Sequence, residues 1–168
     1  MYEVRIHGRG GQGAVLAAQL LATALVFDGK YAVSIPAFGF ERRGAPVVSF
    51  IRSSDREIRQ LTNIYAPDCI ICVDPALART ANIFAGLKPG GTLVQATSRP
   101  LAEIDVPDSV GTVGLCDAVR IATEIFGRPI TNTLMLGAFA RSTGEVSLEA
   151  LKKVIEQSDF RDAGLRQN

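Results

Sequence analysis

Between His7 and Val15 the chain reads HGRGGQGAV, which places four glycines, one arginine and one glutamine ahead of a long apolar run. Gly8, Gly10, Gly11 and Gly13 let a ligand approach backbone amides with no Cβ atoms in the way. Where such a loop opens a helix, unpaired N–H groups and the partial positive charge of the helix end favour an anion, phosphate above all. Arg9 adds a charged fork, and Gln12 either meets a neutral ligand group or braces the loop. The spacing Gly8-x-Gly10-x-x-Gly13 also fits the dinucleotide fingerprint. That fingerprint needs a carboxylate closing the second strand, where this chain reads Val33-Ser34-Ile35-Pro36. NAD is therefore disfavoured, while a tight turn that binds nothing stays open beside phosphate binding.

A second stretch, PAFGFERRGAPV from Pro36 to Val47, has a composition suited to contact. Phe38 and Phe40 are anchor-type residues, and Arg42 and Arg43 can fork onto carboxylate or phosphate or pair with Glu41. Cys69-x-x-Cys72 invites a metal or redox reading, yet it lies in an apolar run bounded by prolines. Strand positions three apart face opposite sides of a sheet, so a buried strand is the favoured reading. His7 is the only histidine, and packing or hydrogen bonding is favoured over acid–base chemistry. No residue stands out as a nucleophile, and no metal set is evident.

These groups need a scaffold, and the periodicities supply one. Tyr2–Ile6 alternates as a strand, and a helix from about Gln12 to Phe27 ends at Asp28-Gly29. Strands are expected at Lys30–Ile35, Pro46–Ile51, Cys69–Val73, Thr92–Ala96 and Ser109–Leu115. Asp74-Pro75 reads as the start of a helix towards Ala85, Asp117 as the cap of Ala118–Phe126, and Ser147 as the cap of Leu148–Gln157. Asn132–Ala140 is a further small-residue helix, and Val146 with Leu151 suits a hydrophobic staple. The sum is an α/β fold: three α/β/α layers about a mostly parallel sheet of five to six strands, as one domain over residues 1–168. The short Pro36–Val47 link implies some antiparallel pairing.

The first helix carries only Gln19 and Thr23 as polar side chains between Gly13 and Phe27, both on one face. A helix this apolar is buried on both sides, which favours a subunit interface there over enclosure by its own chain. With 168 residues, 47% hydrophobic and a formal charge of +1, the chain can fill a core but offers no electrostatic footprint for nucleic acid or an anionic membrane. Gly13–Phe27 falls about five residues short of the roughly 20 that span a bilayer. Three cysteines suit a reducing, cytoplasmic setting.

Four blocks, RIHGRGGQGAV at Arg5–Val15, IPAFGFERRGAPVVSFIR at Ile35–Arg52, PDCIICVDPAL at Pro67–Leu77 and ITNTLMLGAFA at Ile130–Ala140, occur in the order of a known family. The chain resembles the gamma subunit of 2-oxoacid:ferredoxin oxidoreductases, the pyruvate and 2-oxoglutarate synthases. The resemblance implies a fold like domain III of pyruvate:ferredoxin oxidoreductase. It implies a subunit of a complex that cleaves a 2-oxoacid, makes acyl-coenzyme A and reduces ferredoxin, with an inactive isolated chain. Thiamine diphosphate, magnesium and [4Fe-4S] clusters would sit in alpha, beta and delta-type partners, and this chain would bind no cofactor alone. Gly8, Arg9, Gly10, Gly11, Gln12 and Gly13 would line the approach of coenzyme A, the co-substrate. Phe38, Phe40, Glu41, Arg42 and Arg43 would lie at the interface beside them. Asn132 falls in the family's Asn-Thr-x-Met-Leu-Gly block, where capping its helix is favoured over meeting a partner. Relatives continue with a further helix past the position of Asn168, and many carry an asparagine in the strand where this chain reads Val94-Gln95-Ala96. The isolated chain is expected to pair with itself through the first helix or the Pro36–Val47 loop. A free-standing Rossmann-like nucleotide-binding oxidoreductase and a ligand-free interaction module are the alternatives.

Overall fold

Side-chain alternation along Tyr2–Arg9, strand β1, builds the two unlike faces of the molecule. Val4 and Ile6 point into an apolar core, while Arg5 and His7 are buried on the other side. The structure, a computed structural model, describes residues 1–37 and 43–158. After β1 come α1 (Ala14–Phe27), β2 (Tyr31–Pro36), β3 (Pro46–Ser54), β4 (Cys69–Cys72) and the short α2 (Leu77–Thr80). β5 (Thr92–Ala96), a 3₁₀ turn at Leu101–Glu103, β6 (Thr112–Cys116), α3 (Ala118–Phe126), α4 (Asn132–Thr143) and α5 (Leu148–Gln157) complete the order. The sheet runs β2-β3-β1-β4-β5-β6. β3 pairs antiparallel with both β1 and β2, and β1, β4, β5 and β6 are mutually parallel. The expected α/β architecture, the mostly parallel sheet and the antiparallel pair around the Pro36–Val47 link are therefore all present.

The two layers over the sheet are unequal. On one face α1, α4 and α5 bury Leu21, Leu25, Met135, Phe139 and Leu151 against Val4, Ile6, Ile51 and Ile71. Each such side chain contributes roughly 1.5–3 kcal/mol of transfer free energy. The opposite face has a smaller cluster, Ile70, Cys72, Leu77, Ile83 and Leu93, under short turns rather than long helices. There charged side chains bind main-chain oxygens instead. Arg5 donates from Nη2 to the carbonyls of Ile83 (2.8 Å) and Ala85. Buried Arg52 donates from Nε to Glu3 (2.8 Å) and from Nη1 to the carbonyls of Gln60 and Thr62. Guanidinium groups satisfy carbonyls that no ladder reaches, and the loops are held by those bonds.

Several boundaries differ from the sequence reading, each for a local reason. β1 runs on to Arg9 because β3 pairs with it as far as Arg9 opposite Pro46. α1 starts at Ala14, since Gly13 adopts a left-handed φ of 74° that no helix interior contains. The helix expected from Asp74-Pro75 to Ala85 is only Leu77–Thr80. Ala81 turns extended, and Ile83 is drawn into the smaller cluster while its carbonyl binds Arg5. Asp117 and Ser147 cap α3 and α5 as expected, accepting from the amides of Arg120 and Ala150. The interface argued from α1 has no basis in this packing. The chain's own sheet, α4 and α5 enclose the helix, leaving Gln19, Thr23, Val26 and Phe27 as its exposed residues. Among the described residues no helix is long and apolar enough to cross a membrane.

His7 Nε2 accepts from Arg5 Nε at 2.9 Å, which makes the imidazole a neutral acceptor protonated on Nδ1. Burial, then the nearby Arg5 charge, pushes its pKa from 6.5 down to about 4. Between those values the unfolded chain binds a proton that the folded chain does not, so stability falls as pH is lowered through that window. Denaturation midpoints on either side of it are expected to drop towards acid. In His7→Gln, which keeps an acceptor but cannot titrate, this component of the slope is expected to vanish.

Candidate functional site

The parallel pairing of β1 on β4, Val4 opposite Cys69 through His7 opposite Cys72, brings the turns after both strands to the same edge of the sheet. The chain leaving β1 enters α1 over the larger core, while that leaving β4 enters α2 over the smaller one. Neighbouring parallel strands whose connections go to opposite faces open a crevice beyond their carboxyl ends, the position where α/β sheets bind ligands. The glycine loop occupies it.

Local contacts fix the loop tightly. Gly8 is still in β1, and a Cβ there would lie 2.8 Å from Val73 Cγ2 and 3.1 Å from the Ala14 methyl, so only glycine permits this strand-to-helix approach. Gln12 N donates to the Arg9 carbonyl (3.0 Å), and Gln12 Oε1 accepts from Arg9 N (2.7 Å). The Gln12 side chain thus braces the turn. Ala17 N to Gly13 O (2.9 Å) begins the helical ladder, so the amides before it have no intrahelical acceptor. A cavity of about 440 Å³ lies among Arg9, Gly10, Gly11, Gly13, the first turn of α1, Gln19 and Val47.

Asp74, just past β4, is the residue that reading the sequence missed in this role. Its Oδ1 accepts from the amides of Ala76 and Leu77, both at 2.9 Å, although the N-cap position of α2 expected of it is held by Ala76. Its Oδ2 accepts from Gln12 Nε2 at 2.6 Å and lies 3.3 Å from Arg9 Nε. One buried carboxylate therefore joins the turn after β4 to the loop after β1. A carboxylate at the end of a strand was visible, but its partner lies 62 residues away and only the β1–β4 register identifies it.

Of the residues singled out earlier, Gly8, Arg9, Gly10, Gly11, Gln12 and Gly13 converge here. Arg43 is exposed on the adjoining turn, which is tied to the loop by Gly10 N to Ala45 O (2.8 Å) and Gly44 N to Gly10 O (3.0 Å). Arg9 Nη1 adds a bond to Gly44 O at 3.2 Å. Phe38, Phe40, Glu41 and Arg42 lie outside the described residues. Asn132 is buried against Gly13, where any Cβ would meet its Nδ2. The expected capping role is corrected: Thr131 holds the N-cap position of α4, and Asn132 Oδ1 accepts from the next amide, Thr133 N, at 2.9 Å.

His7 is a buried acceptor, and burial pushes the Cys72 thiol up to about 12 while its Sγ donates to Asp74 O. Cys69 belongs to the larger core and Cys72 to the smaller, so the pair straddles the sheet and cannot grip one metal ion. The remaining chemistry is that of a rigid amide cradle with a guanidinium at its lip.

Comparison with known proteins gives a consistent picture. The profile of the family described as pyruvate ferredoxin/flavodoxin oxidoreductase matches residues 3–166. A protein named NADH-dependent phenylglyoxylate dehydrogenase subunit gamma, from Aromatoleum evansii, is 73% identical over 168 residues, covering 100% of this chain and 88% of that one. The pyruvate/ketoisovalerate oxidoreductases common subunit gamma of Thermococcus kodakarensis is 48% identical over 94% of this chain and 86% of its own. Among solved structures, a pyruvate oxidoreductase subunit from Thermotoga maritima superposes with a TM-score of 0.83 at 36% identity, over 99% of this chain and 92% of that one.

Asp74→Asn retains the oxygen that serves Ala76 and Leu77 but turns the other atom into a donor facing Gln12 Nε2. The mismatch is expected to cost about 1–3 kcal/mol in chemical denaturation. Hydrogen exchange across residues 9–16 is expected to accelerate, while that of β5 stays unchanged.

Proposed function

The chain belongs to the pyruvate ferredoxin/flavodoxin oxidoreductase family, as the gamma subunit of a 2-oxoacid:ferredoxin oxidoreductase, and on that premise we propose that its glycine loop receives coenzyme A. The observation that carries this reading is the cradle itself. Free amides at the start of α1, a left-handed Gly13 and Arg9 surround a cavity at the crevice between β1 and β4. Phosphate oxygens suit such a cradle. The free-standing nucleotide-binding oxidoreductase is not supported, because the family profile runs through almost the whole chain and β2 closes on Pro36 without a carboxylate.

The complex converts a 2-oxoacid and coenzyme A to acyl-coenzyme A, carbon dioxide, two electrons and a proton. Thiamine diphosphate with magnesium supplies the carbon–carbon cleavage when bound, and iron–sulfur clusters carry the electrons. Those groups would sit in alpha, beta and delta-type partners, a reading supported for the clusters by Cys69 and Cys72 lying on opposite faces of the sheet. The contribution of this subunit, one domain over 1–168, is to bind and orient the coenzyme and to complete the assembly. Gly8 through Gly13 do the first. Arg43 and the stretch with Phe38, Phe40, Glu41 and Arg42 border the partners, while buried Asn132 packs against Gly13 at the edge of the ligand site. The setting is the cytoplasm, and the isolated chain is inactive.

The name of the Thermococcus relative makes that gamma subunit common to two oxidoreductases, which supports placing the choice of 2-oxoacid in other chains. Identity of 73% to a phenylglyoxylate dehydrogenase subunit favours an aromatic 2-oxoacid for the complex served here. That relative is NADH-dependent by name, so assays with ferredoxin and with NAD as acceptor separate the two electron routes.

Gly10→Asp sets a carboxylate against the cradle. In the assembled complex it is expected to raise KM for coenzyme A about tenfold or more, the factor that each 1.4 kcal/mol represents, with KM for the 2-oxoacid unchanged. An intact complex with unaltered KM for coenzyme A removes the loop from this role. A tagged chain isolated gently from its host is expected to bring down larger thiamine-binding and cluster-binding polypeptides.

A further inference from the structure

β2 is the outermost strand on one side of the sheet, and its free edge is unguarded. A bare row of main-chain N–H and C=O groups is a template for another strand, so proteins that stay apart protect such an edge with a charge, a bulge or a cover. β2 lacks all three. It carries no charged side chain, and its register with β3 runs one to one from Tyr31 opposite Ser54 to Pro36 opposite Ser49. Among the described residues no strand pairs with its outer side. The surface beside it is apolar: Tyr31 is 53% exposed, and Val26 and Phe27, at the end of α1, are exposed as well.

The ladder fixes which groups face outward. Ala37 N donates to Val48 O at 3.1 Å, so in this antiparallel pair Ile35, Val33 and Tyr31 turn their main-chain groups towards β3. Ala32, Ser34 and Pro36 turn theirs away. Proline has no N–H to offer, and the Lys30 amide is already given to Leu25 O at 3.0 Å. The outward donors therefore read the same in both directions about Val33: none at Lys30, one at Ala32, one at Ser34, none at Pro36. A pattern of this kind matches a reversed copy of itself, which is what an isologous contact about a two-fold axis requires.

We propose that β2 pairs antiparallel with β2 of a second copy of this chain, about a two-fold axis through Val33, joining two six-stranded sheets into one. Ala32 N donates to Ser34 O of the partner subunit and Ser34 N to Ala32 O of the partner subunit, which with the symmetric pair makes four main-chain bonds. The side chains match in the same register. Tyr31, Val33 and Ile35 lie on the face away from α1, since Ile35 stands opposite Phe50 and Phe50 opposite Arg5. On that face Val33 meets its own counterpart, and Tyr31 meets Ile35 at either end, an aromatic against a β-branched residue. On the α1 face the facing pair is Ala32 with Ser34, both small. A shift of two residues sets Ile35 against Gly29 or Tyr31 against Ala37 and leaves the outer rungs with one bond each, so this register is selected. β2 runs parallel to β1, both being antiparallel to β3, and the two glycine-loop crevices therefore sit at opposite ends of the joined sheet, two strands away from the seam. In the assembled enzyme the gamma chains become the bridge between two sets of larger subunits.

Sedimentation velocity of the full-length chain over a concentration series is expected to show a reversible monomer–dimer equilibrium. Val33→Cys is expected to form a disulfide between copies on mild oxidation, in the isolated chain and between gamma chains of the assembled complex. Its non-hydrogen-bonded position sets the two Cα atoms about 4.5 Å apart, within disulfide range. Tyr31→Cys, whose own counterpart lies four residues along the seam at roughly 14 Å, is expected not to link. The wild-type chain, with Cys69 and Cys72 buried and Cys116 half-buried, is the control. Ser34→Pro removes two of the four bonds at an outward amide, where an edge strand tolerates proline. It is expected to raise the dimer dissociation constant tenfold or more while the monomer keeps its melting temperature. A chain that stays monomeric together with an unlinked Val33→Cys in the complex overturns the proposal, as does a dimer undiminished in Ser34→Pro. Protection of the Ala32 and Ser34 amides from hydrogen exchange in the complex, without a link between gamma chains, gives the edge to a strand of another subunit and overturns it equally. The inference does not rest on the coenzyme reading, and the Gly10→Asp result stands or falls without it.

Discussion

The carboxylate of Asp74 is where the two halves of the crevice are joined. It is buried at the end of β4, yet its oxygens accept from the first amides of the turn before α2 and from Gln12 of the glycine loop. Such a group is costly to bury unless its lone pairs are filled, and here they are filled from both neighbouring connections. The loop geometry consequently depends on the register of β1 against β4, because a slip of one residue would turn Arg5 and His7 towards the larger core and carry Arg9 and Gln12 away from Asp74.

The sheet is stabilised differently on its two sides. Over the helical side, α1, α4 and α5 cover a continuous aliphatic core, a non-directional contribution that tolerates small adjustments. Over the other, Arg5 and Arg52 hold turns by hydrogen bonds to specific carbonyls. Directional bonds fix position more sharply than aliphatic contact does, and the carbonyls they fix include those of Ile83 and Ala85. A subunit that must present loops in defined places to other chains has reason to hold them in this way.

Much of this was legible in the residues. The capped helices Ala118–Phe126 and Leu148–Gln157 and the strand Thr92–Ala96 came out at their observed limits, because cap chemistry and alternation are local signals. The convergence of Gly8–Gly13 was equally visible, as glycine spacing is a backbone property written in sequence. Two things were not legible. α2 is short because the burial of Ile83 and its carbonyl's bond to Arg5 together draw the chain after Thr80 out of the helix, a contact across 78 residues. α1 is enclosed by its own chain because α5 folds back on it, and no periodicity within α1 distinguishes a helix of the same chain from a neighbouring subunit. Asp74 was readable as a carboxylate closing a strand, but Ala76 holds the N-cap of α2 and the second Asp74 oxygen acts at long range.

The pair of main-chain bonds between Gly10 and the Gly44–Ala45 turn bears on how the assembled enzyme behaves. These bonds leave no slack between the phosphate-type cradle and the arginine-bearing stretch beside it. On the proposed function, a partner seated on Arg43 would therefore act on the cradle, and an occupied cradle would alter the grip on that partner by the same free energy. Quaternary association and coenzyme affinity would in this way be coupled through a pair of main-chain amide protons.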